Sequence, residues 1–572
     1  MDLDIVISRA GLLRDQLRLG VTSTVTAHMI KVNLSKAGEP SGRYIEGNRY
    51  GRGEVGEIVL VESQQNIIMG RVTEVRLPDR DRTELAQDFR GDKDLDAIAF
   101  VQLLGSIDIS TIRIQAGLTS YPRLGDRVFS APSELISHIP ELMNTGVENR
   151  TRSEVTITLG KVTGGVDSQV SVAPEKLFGR HCAILGSTGG GKSWTTARLV
   201  EECAQFSRAK ILLLDATSEY RTLPATNTEH RHLGDPVYKG GDSAELRIPH
   251  TEFNESDFIA LFEPSGKVQG PKLKEAIKSL RLAKLCPDVF PGGYVPKINQ
   301  SKSAYRGALR KDQNSTKVDD PNRPFDVDKL LKQIVEECCY DNDDRWGGPN
   351  NEIGFCSSLL TRIQAVTFSP SLKSVFRADS SLPSISNAIE GFLDGQKQVL
   401  RVCMSDISYE FFAREVLANV IGRRLLTMAR AERFREMPLL VVLDEAHNFL
   451  GKRIGSEDHA TKLDAFELIA KEGRKYGLNI CLATQRPRDI TEGVLSQMGT
   501  LIVHRLTNDR DREVVERACG EIDRSAASFL PNLKQGEVAL IGVDFPIPMT
   551  IQIDMPTTPP KSDGPSFQKF WS

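Results

Sequence analysis

A short apolar strand that runs into a glycine-rich loop and then into a helix is the feature that most constrains the fold of this chain. The strand, residues 181–185, is followed by a loop that matches the complete pattern G-x-x-x-x-G-K-[ST] and consists of Gly186, Ser187, Thr188, Gly189, Gly190, Gly191, Lys192 and Ser193. Glycines permit the tight turns that aim successive backbone N–H groups at phosphate oxygens, and the N-terminus of the following helix lies beside the same anion. The order of strand, loop and helix therefore predicts an α/β fold that holds the phosphates of a nucleotide.

The residue types in this loop indicate ATP and Mg²⁺ as the ligands. Lys192 would bridge the β- and γ-phosphates, and the hydroxyl of Ser193 would ligate Mg²⁺. Trp194 opens the predicted helix, which extends to Phe206, and completes the set of residues expected to contact the nucleotide. An ordinary glycine-rich turn is the alternative for the loop pattern taken alone, and the flanking strand and helix argue against it.

A second apolar run, Leu439 to Leu443, ends in the acidic pair Asp444 and Glu445, as Walker B strands do. In a parallel sheet such acids lie at the carboxyl end of the strand, where ligands bind. Asp444 would hold the Mg²⁺ ion, and Glu445 would polarise the attacking water. Together with the phosphate loop, this strand predicts an ATP hydrolase.

Length, charge and cysteine spacing narrow the class of protein. A chain of 572 residues with 40% apolar residues is too long for one hydrophobic core and suggests several domains. The net charge of −3 means that any contact with nucleic acid must come from a local basic patch. Nine cysteines without C-x-x-C spacing, the lack of a signal segment and the lack of an eighteen-residue apolar run predict a cytoplasmic protein with no membrane segment.

Changes of pattern along the chain predict an N-terminal domain and a larger core. Residues 1–150 alternate short β-type runs with Gly, Pro and Asp turns, which is typical of a small β-barrel. Strands then alternate with helices, which predicts a parallel sheet of the RecA-like P-loop type. This core is expected in two parts, residues 151–250 and 396–555.

The remaining segments lack strand signals. Residues 251–395 show helical periodicity, which predicts an all-helical insertion, and the polar stretch from Ser301 to Pro321 predicts a mobile loop within it. Residues 556–572 form a tail that ends in an aromatic cluster, from Phe567 to Trp571. These aromatics either dock on a neighbouring subunit or are simply exposed.

Three further segments resemble motifs of the HerA/FtsK group of ring translocases. Residues 213–220 form an apolar strand that ends in Asp215 and is followed by Glu-Tyr. Residues 471–477, Lys-Glu-Gly-Arg-Lys-Tyr-Gly, and 481–487, Cys-Leu-Ala-Thr-Gln-Arg-Pro, are similar to the GRK-aromatic-G and TQRP elements of that group. Since FtsK-type motors and conjugative coupling proteins usually carry membrane segments, the chain resembles HerA-like ATPases better. The resemblance is loose in residues 1–45 and across the helical insertion.

This resemblance implies a homohexameric ATPase that pulls double-stranded DNA through a central channel. Gln485 would then sense the γ-phosphate, unless it only caps a strand. Arg474 and Arg180 are the candidates for an arginine that reaches across the subunit interface to the transferred phosphate, with a surface salt bridge as the alternative for each. Lys452 and Arg453 follow the Walker B strand in a loop where such rings place channel residues, and their alternative is a solvated surface pair.

The resemblance also implies a partner. HerA-like motors are found alongside NurA-type nucleases, and related defence assemblies pair them with sirtuin-like or other effectors. Since the chain has no nuclease or NAD-binding motif, a separate effector protein is expected, in DNA repair or anti-phage defence.

Two other functions remain open at this point. The first is an ATP-regulated ring scaffold that assembles and activates an effector without moving DNA, and the second is a monomeric metabolic P-loop kinase. Residues 444–447 also spell the DEAH box of another helicase superfamily. We interpret the match at His447 as coincidence, because no second motor domain of that superfamily is recognisable.

Overall fold

The computed structural model divides into two compact units. The first unit comprises residues 1–203 and 483–559, and the second comprises residues 204–482 and 560–572. The structure describes residues 9–35, 43–45, 48–64, 66–77, 97–108, 113–144, 155–163, 169–450, 453–454, 461–519, 529–543, 545–562, 567 and 571.

The strands of the described residues are numbered in chain order. They are β1 (Arg18–Val25), β2 (Met29–Leu34), β3 (Arg43–Ile45), β4 (Asn48–Tyr50), β5 (Ile58–Glu62), β6 (Asn66–Arg76), β7 (Ala97–Asp108), β8 (Arg113–Ala116), β9 (Arg127–Ser130), β10 (Ile157–Val162), β11 (Gln169–Val172), β12 (Cys182–Leu185), β13 (Lys210–Asp215), β14 (Thr228–Leu233), β15 (Ala244–Leu246), β16 (Cys339–Asp341), β17 (Trp346–Pro349), β18 (Val399–Cys403), β19 (Leu439–Leu443), β20 (Arg453–Ile454), β21 (Thr461–Lys462), β22 (Leu478–Thr484), β23 (Thr500–Val503), β24 (Glu537–Gly542) and β25 (Phe545–Ile553).

The α-helices are numbered in the same way. They are α1 (Arg9–Leu12), α2 (Ser133–Asn144), α3 (Pro174–Phe178), α4 (Lys192–Ala204), α5 (Glu255–Phe262), α6 (Gly266–Leu285), α7 (Ser303–Arg310), α8 (Asn314–Val318), α9 (Leu330–Glu337), α10 (Glu352–Phe355), α11 (Ser357–Phe368), α12 (Lys373–Phe376), α13 (Ile385–Asp394), α14 (Ala413–Arg430), α15 (Ala465–Glu472), α16 (Glu492–Leu495) and α17 (Asp509–Cys519). Within the part of the chain that the structure describes, none of these helices has the length and apolar character needed to cross a membrane.

Six strands of the first unit close into a barrel. They follow the order β2-β1-β9-β5-β6-β7, and β7 returns to pair with β2 from Ala97 opposite Leu34 to Gln102 opposite Met29. The apolar side chains that fill the interior include Leu19, Ile30, Val32, Val59, Val61, Ile68, Val72, Val101 and Val128. Closure of a sheet on itself pairs both edges of each of its strands. The small N-terminal β-barrel predicted from the turn pattern is confirmed.

A second sheet of the first unit carries the phosphate loop. Its strand order is β11-β10-β25-β24-β23-β12. Strand β12 pairs in parallel with β23, from Cys182 opposite Thr500 to Leu185 opposite Val503. Because parallel strands end at the same edge of a sheet, the loop after β12 and the residues after β23 come together there.

The sheet of the second unit is parallel throughout, in the order β22-β19-β13-β18-β14-β15. All six residues of β13 are buried, as expected for a strand covered on both faces. Strands β13 and β19 are neighbours, and Asp215 and Asp444 lie at their carboxyl ends. The α/β fold class is confirmed, and β19 has the bounds of the apolar run Leu439 to Leu443 that the sequence predicted.

The insertion is helical from α5 to α13 except for the hairpin of β16 and β17. The mobile loop predicted from Ser301 to Pro321 is wrong, because this stretch contains α7 and α8. Arg281 of α6, which is 1% exposed, holds the end of this stretch by donating hydrogen bonds to three carbonyl oxygens: Val318 at 3.1 Å, Pro321 at 3.0 Å and Arg323 at 3.0 Å. A guanidinium has five donors and no acceptor, so these carbonyls satisfy it in the interior. Ala308 of α7 and Val318 of α8 also pack in one apolar cluster with Leu282 and Ala283 of α6.

Replacing Arg281 by Ala should therefore release the segment from 301 to 323. The loss of three hydrogen bonds to a charged group lowers the free energy of local opening by on the order of 3 kcal/mol or more. We expect thermolysin to cleave this segment at least about tenfold faster in Arg281→Ala, as followed by mass spectrometry. Arg310→Ala, which removes an exposed arginine of α7, is the control. Equal cleavage rates in the two variants would show that Arg281 does not hold the segment.

Candidate nucleotide-binding site

The phosphate loop has the backbone that its glycines predict. Gly189 and Gly191 have φ angles of 77° and 104°, a region that glycine adopts without a steric penalty. The N–H of Gly190 donates to the carbonyl of Ser187 at 3.0 Å, and the N–H of Ser187 donates to the carbonyl of Arg505 at 3.2 Å. Helix α4 begins at Lys192, so its N-terminus lies at the end of the loop. This arrangement suits the binding of phosphate groups.

The side chains at the start of α4 differ in exposure. Lys192 is buried, whereas Ser193 and Trp194 are half-buried and Thr188 in the loop is exposed. A lysine at this position supplies positive charge close to bound phosphates, and a serine hydroxyl is an oxygen ligand of the kind that Mg²⁺ prefers. The loop and the start of α4 thus place the lysine and the serine that the sequence predicted next to each other.

Gln485 meets the phosphate loop directly. The hydroxyl of Thr188 donates a hydrogen bond to Oε1 of Gln485 at 2.6 Å. Gln485 follows the end of β22, and the carbonyl of its neighbour Thr484 accepts a hydrogen bond from the N–H of Gly186 at 3.3 Å. The TQRP segment therefore contacts a loop almost 300 residues earlier in the chain. A role for Gln485 in sensing the γ-phosphate stays a prediction, and this position is compatible with it.

Asp444 is fully buried at the end of β19, and two hydroxyl groups approach its carboxylate. The phenol of Tyr220 donates to Oδ1 at 3.3 Å, and the hydroxyl of Thr217 lies 3.5 Å from Oδ2. Both residues belong to the turn after β13. Groups that hold a carboxylate in this way orient it toward a ligand.

A buried ion pair fixes that turn. Nε of Arg401, on β18, lies 2.7 Å from Oδ2 of Asp215, and both side chains are inaccessible to solvent. The same carboxylate accepts the N–H groups of Tyr220 at 3.1 Å and of Glu219 at 3.2 Å, while Arg401 also donates to the hydroxyl of Ser218 at 2.9 Å. Buried charges are tolerated when they are paired and hydrogen-bonded in this way.

Sequence reasoning identified Asp215 within a motif but missed Arg401 and the role of Tyr220. The available signal for Arg401 was a charged residue in the middle of an otherwise apolar strand, residues 399–403. A charge in a buried strand requires a partner of opposite charge.

Glu445 has a φ of 49°, which is unusual for a residue with a side chain, and it is buried. Such backbone conformations concentrate at functional sites. Nδ1 of His447 lies 3.2 Å from Oε2 of Glu445. The histidine that sequence reasoning set aside as a coincidental match therefore contacts the acid proposed to polarise water.

The two candidate arginines are both exposed. Arg474 lies in the 3₁₀ turn Gly473–Tyr476, and Arg180 precedes β12, where its carbonyl accepts a hydrogen bond from the N–H of Gly499 at 2.7 Å. Among the described residues, no ion pair engages either guanidinium. By contrast, Lys475 beside Arg474 lies 3.5 Å from the carboxylate of Glu472. The roles of Arg474 and Arg180 at a subunit interface stay predictions.

Two other predictions concern residues 452–453 and the tail. Lys452 lies outside the described residues, and Arg453 lies on β20, which forms a hairpin with β21. In the tail, the rings of Phe567 and Trp571 pack edge to face with centroids 4.8 Å apart, and Trp571 is 82% exposed. The channel and docking roles of these residues stay predictions.

The class of protein that the fold and the site define is a P-loop nucleoside triphosphatase. Comparison with known proteins narrows this class. Residues 157–334 match the family model described as "Helicase HerA, central domain". The DNA double-strand break repair helicase HerA of Saccharolobus solfataricus is 24% identical over 381 residues, which cover 66% of this chain and 65% of that protein. The chain thus matches just under two thirds of the length of this relative.

Two further proteins are similar to this chain. The HerA helicase of Sulfolobus acidocaldarius is 23% identical over 502 residues, which cover 84% of this chain and 86% of that protein. Among solved structures, VirB4 of Thermoanaerobacter pseudethanolicus aligns with 16% identity and a TM-score of 0.42, over 71% of this chain and 98% of that chain. The resemblance to HerA-like ATPases is confirmed by the sequence matches.

The contact between Tyr220 and Asp444 generates a prediction about metal dependence. Tyr220→Phe removes the hydroxyl that orients Oδ1, so the Mg²⁺ concentration for half-maximal ATPase activity should rise by about tenfold. Tyr238→Phe, which removes a hydroxyl from an exposed tyrosine, is the control and should leave this concentration unchanged. A magnesium titration that gives the same midpoint for both variants would contradict the role assigned to Tyr220.

Proposed function

We propose that this protein is an ATP-driven translocase of double-stranded DNA that works as a homohexameric ring. The observation that carries the proposal is the hydrogen bond between Thr188 and Gln485, because it links a segment typical of HerA-like ring motors to the phosphate loop. Two relatives are named as DNA double-strand break repair helicases, which supports the same conclusion.

The side chains divide the chemistry of ATP hydrolysis among them. Lys192 and the N–H groups of the loop would hold the phosphates, and Glu445 would orient the attacking water and accept its proton. The oxygens of Ser193 and Asp444 are ligands of the type that suits Mg²⁺. When bound, Mg²⁺ would neutralise charge that develops on the phosphate oxygens. Arg474, or Arg180, would add positive charge from a neighbouring subunit.

Contact with DNA is expected to be local rather than global. The chain carries a net charge of −3, so six copies are acidic as a whole. Lys452 and Arg453, repeated six times around a channel, would still give a basic inner surface that binds the phosphate backbone.

The cellular role that we propose is DNA repair or anti-phage defence together with a separate effector protein. A nuclease is the simplest effector, because a motor that moves along duplex DNA can deliver it to a cutting enzyme. Co-purification from native cells followed by mass spectrometry identifies the partner, and recovery of the protein with no stable partner would contradict this part of the proposal.

Duplex DNA provides the central test. ATPase activity should rise several-fold with duplex DNA, and the protein should displace the third strand of a DNA triplex while it hydrolyses ATP. Lys192→Ala should abolish nucleotide binding, and Glu445→Ala should bind ATP but lower the turnover rate by about 10²-fold or more. Lys278→Ala, a change to a partly exposed lysine of the insertion, is the control. ATP turnover that ignores DNA, with no strand displaced, would favour a ring scaffold.

The arginine prediction has its own test in mixed rings. Arg474→Ala should keep ATP binding but lose about 10³-fold in turnover. If Arg474 acts on the neighbouring subunit, a mixture of Arg474→Ala and Lys192→Ala subunits should regain activity. In about a quarter of the sites, the phosphate loop of an Arg474→Ala subunit then meets the intact Arg474 of a Lys192→Ala neighbour. Arg180→Ala, a change to the second candidate arginine, and Lys475→Ala, a change to the neighbour of Arg474, are each mixed with Lys192→Ala in the same way. A mixture no more active than its components would exclude Arg474 as the trans-acting residue.

A further inference from the structure

A buried histidine lies under the phosphate loop. His504 directly follows β23 and is 0% exposed, and its N–H donates to the carbonyl of Leu185, the last residue of β12, at 2.7 Å. Its Nε2 lies 2.9 Å from the hydroxyl of Thr195 in the first turn of α4. The backbone N–H of His504 therefore bonds the strand before the loop, and its imidazole bonds the helix after the loop.

The glycines of the loop pack against this imidazole. A Cβ atom placed on Gly186 would lie 2.6 Å from Cβ of His504, which is too close for any side chain. A Cβ atom on Gly191 would lie 3.3 Å from Cε1 of the ring, and one on Gly190 would lie 3.5 Å from Cβ of His504. The loop backbone thus rests on the histidine, and glycine at these positions allows that approach.

The next residue holds the other side of the loop. The carbonyl of Arg505 accepts two hydrogen bonds from Ser187, one from its N–H at 3.2 Å and one from its hydroxyl at 2.8 Å. Residues 504 and 505 therefore contact both the start of the phosphate loop and α4, the helix that follows it.

The imidazole is uncharged at neutral pH. Burial lowers the pKa of His504 to about 4, and the charge of Lys192 acts in the same direction, while the carbonyl of Gly190 opposes both. A neutral ring has one nitrogen that donates and one that accepts, so it can hydrogen-bond Thr195 without adding a second positive charge beside Lys192.

We propose that His504 is a positioning residue for ATP binding, which keeps the phosphate loop in its binding conformation through packing and through its hydrogen bond to Thr195. The inference rests on the proposed role of this loop in holding ATP. A loop that is already in its binding conformation loses less conformational entropy when ATP binds. Loss of the support should therefore raise KM for ATP more than it lowers kcat, because the groups that act on the water and the leaving phosphate are unchanged.

Three substitutions of His504 in the full-length protein separate hydrogen bonding from filling of space. His504→Leu fills the space but cannot form the hydrogen bond, and His504→Ala neither fills the space nor forms the bond. In both variants the KM for ATP should rise by about five- to tenfold, and kcat should stay within about threefold of the wild type. His504→Gln, whose amide can reach Thr195, should restore KM to within about threefold. The dissociation constant of a fluorescent ATP analogue should follow the same order.

Two further variants complete the test. Thr195→Val removes the partner hydroxyl from the helix side and should reproduce the KM of His504→Leu even if substitutions at 504 impair folding. His250→Gln changes a partly buried histidine of the insertion and should leave KM unchanged. A wild-type KM in both His504→Leu and Thr195→Val, or a His504→Gln variant as poor as His504→Leu, would overturn the positioning role. A wild-type protein that binds ATP but ignores DNA would contradict the proposed translocase alone.

Discussion

Parallel hydrogen bonding between strands determines where the functional residues of this protein lie. In the first unit, the pairing of β12 with β23 brings the phosphate loop to the residues that follow Val503, and so places His504 beneath its glycines. In the second unit, β18, β13 and β19 lie side by side, and their pairing brings Arg401 next to Asp215 and the turn after β13 next to Asp444. A different strand order would separate each of these pairs, since none of them is close in the chain.

Two buried arginines hold chain segments in place through hydrogen bonds. Arg401 and Arg281 are among the largest side chains with almost no exposure. Arg401 donates to Asp215 and Ser218, and Arg281 donates to the carbonyl oxygens of Val318, Pro321 and Arg323. Removing a charge from water is costly, and the cost is offset only when the partners hold one geometry. The result in each case is a fixed turn or segment, near Asp444 for Arg401 and within the helical insertion for Arg281.

The site residues rely on support of two kinds. Asp444 is oriented by hydroxyl groups from a neighbouring strand's turn, and the phosphate loop rests on a neutral imidazole. Because burial lowers the pKa of His504, its imidazole can lie beside Lys192 without adding a second positive charge.

The sequence by itself determined the features that depend on neighbours in the chain. The glycine spacing of residues 186–191, the apolar runs of β13, β19 and β22 and the turn signals of the barrel are local patterns, so they predicted the loop, the fold class and the resemblance to HerA-like ATPases. Tertiary structure alone decided the contacts of His504 with Thr195 and of Arg401 with Asp215, which join residues 309 and 186 positions apart. It also placed Arg281 of α6 against carbonyl oxygens at the end of the polar stretch after Ser301, which contains helices instead of the predicted mobile loop. Composition and periodicity carry no information about such partners, since strand order and helix packing bring them together only in the folded chain.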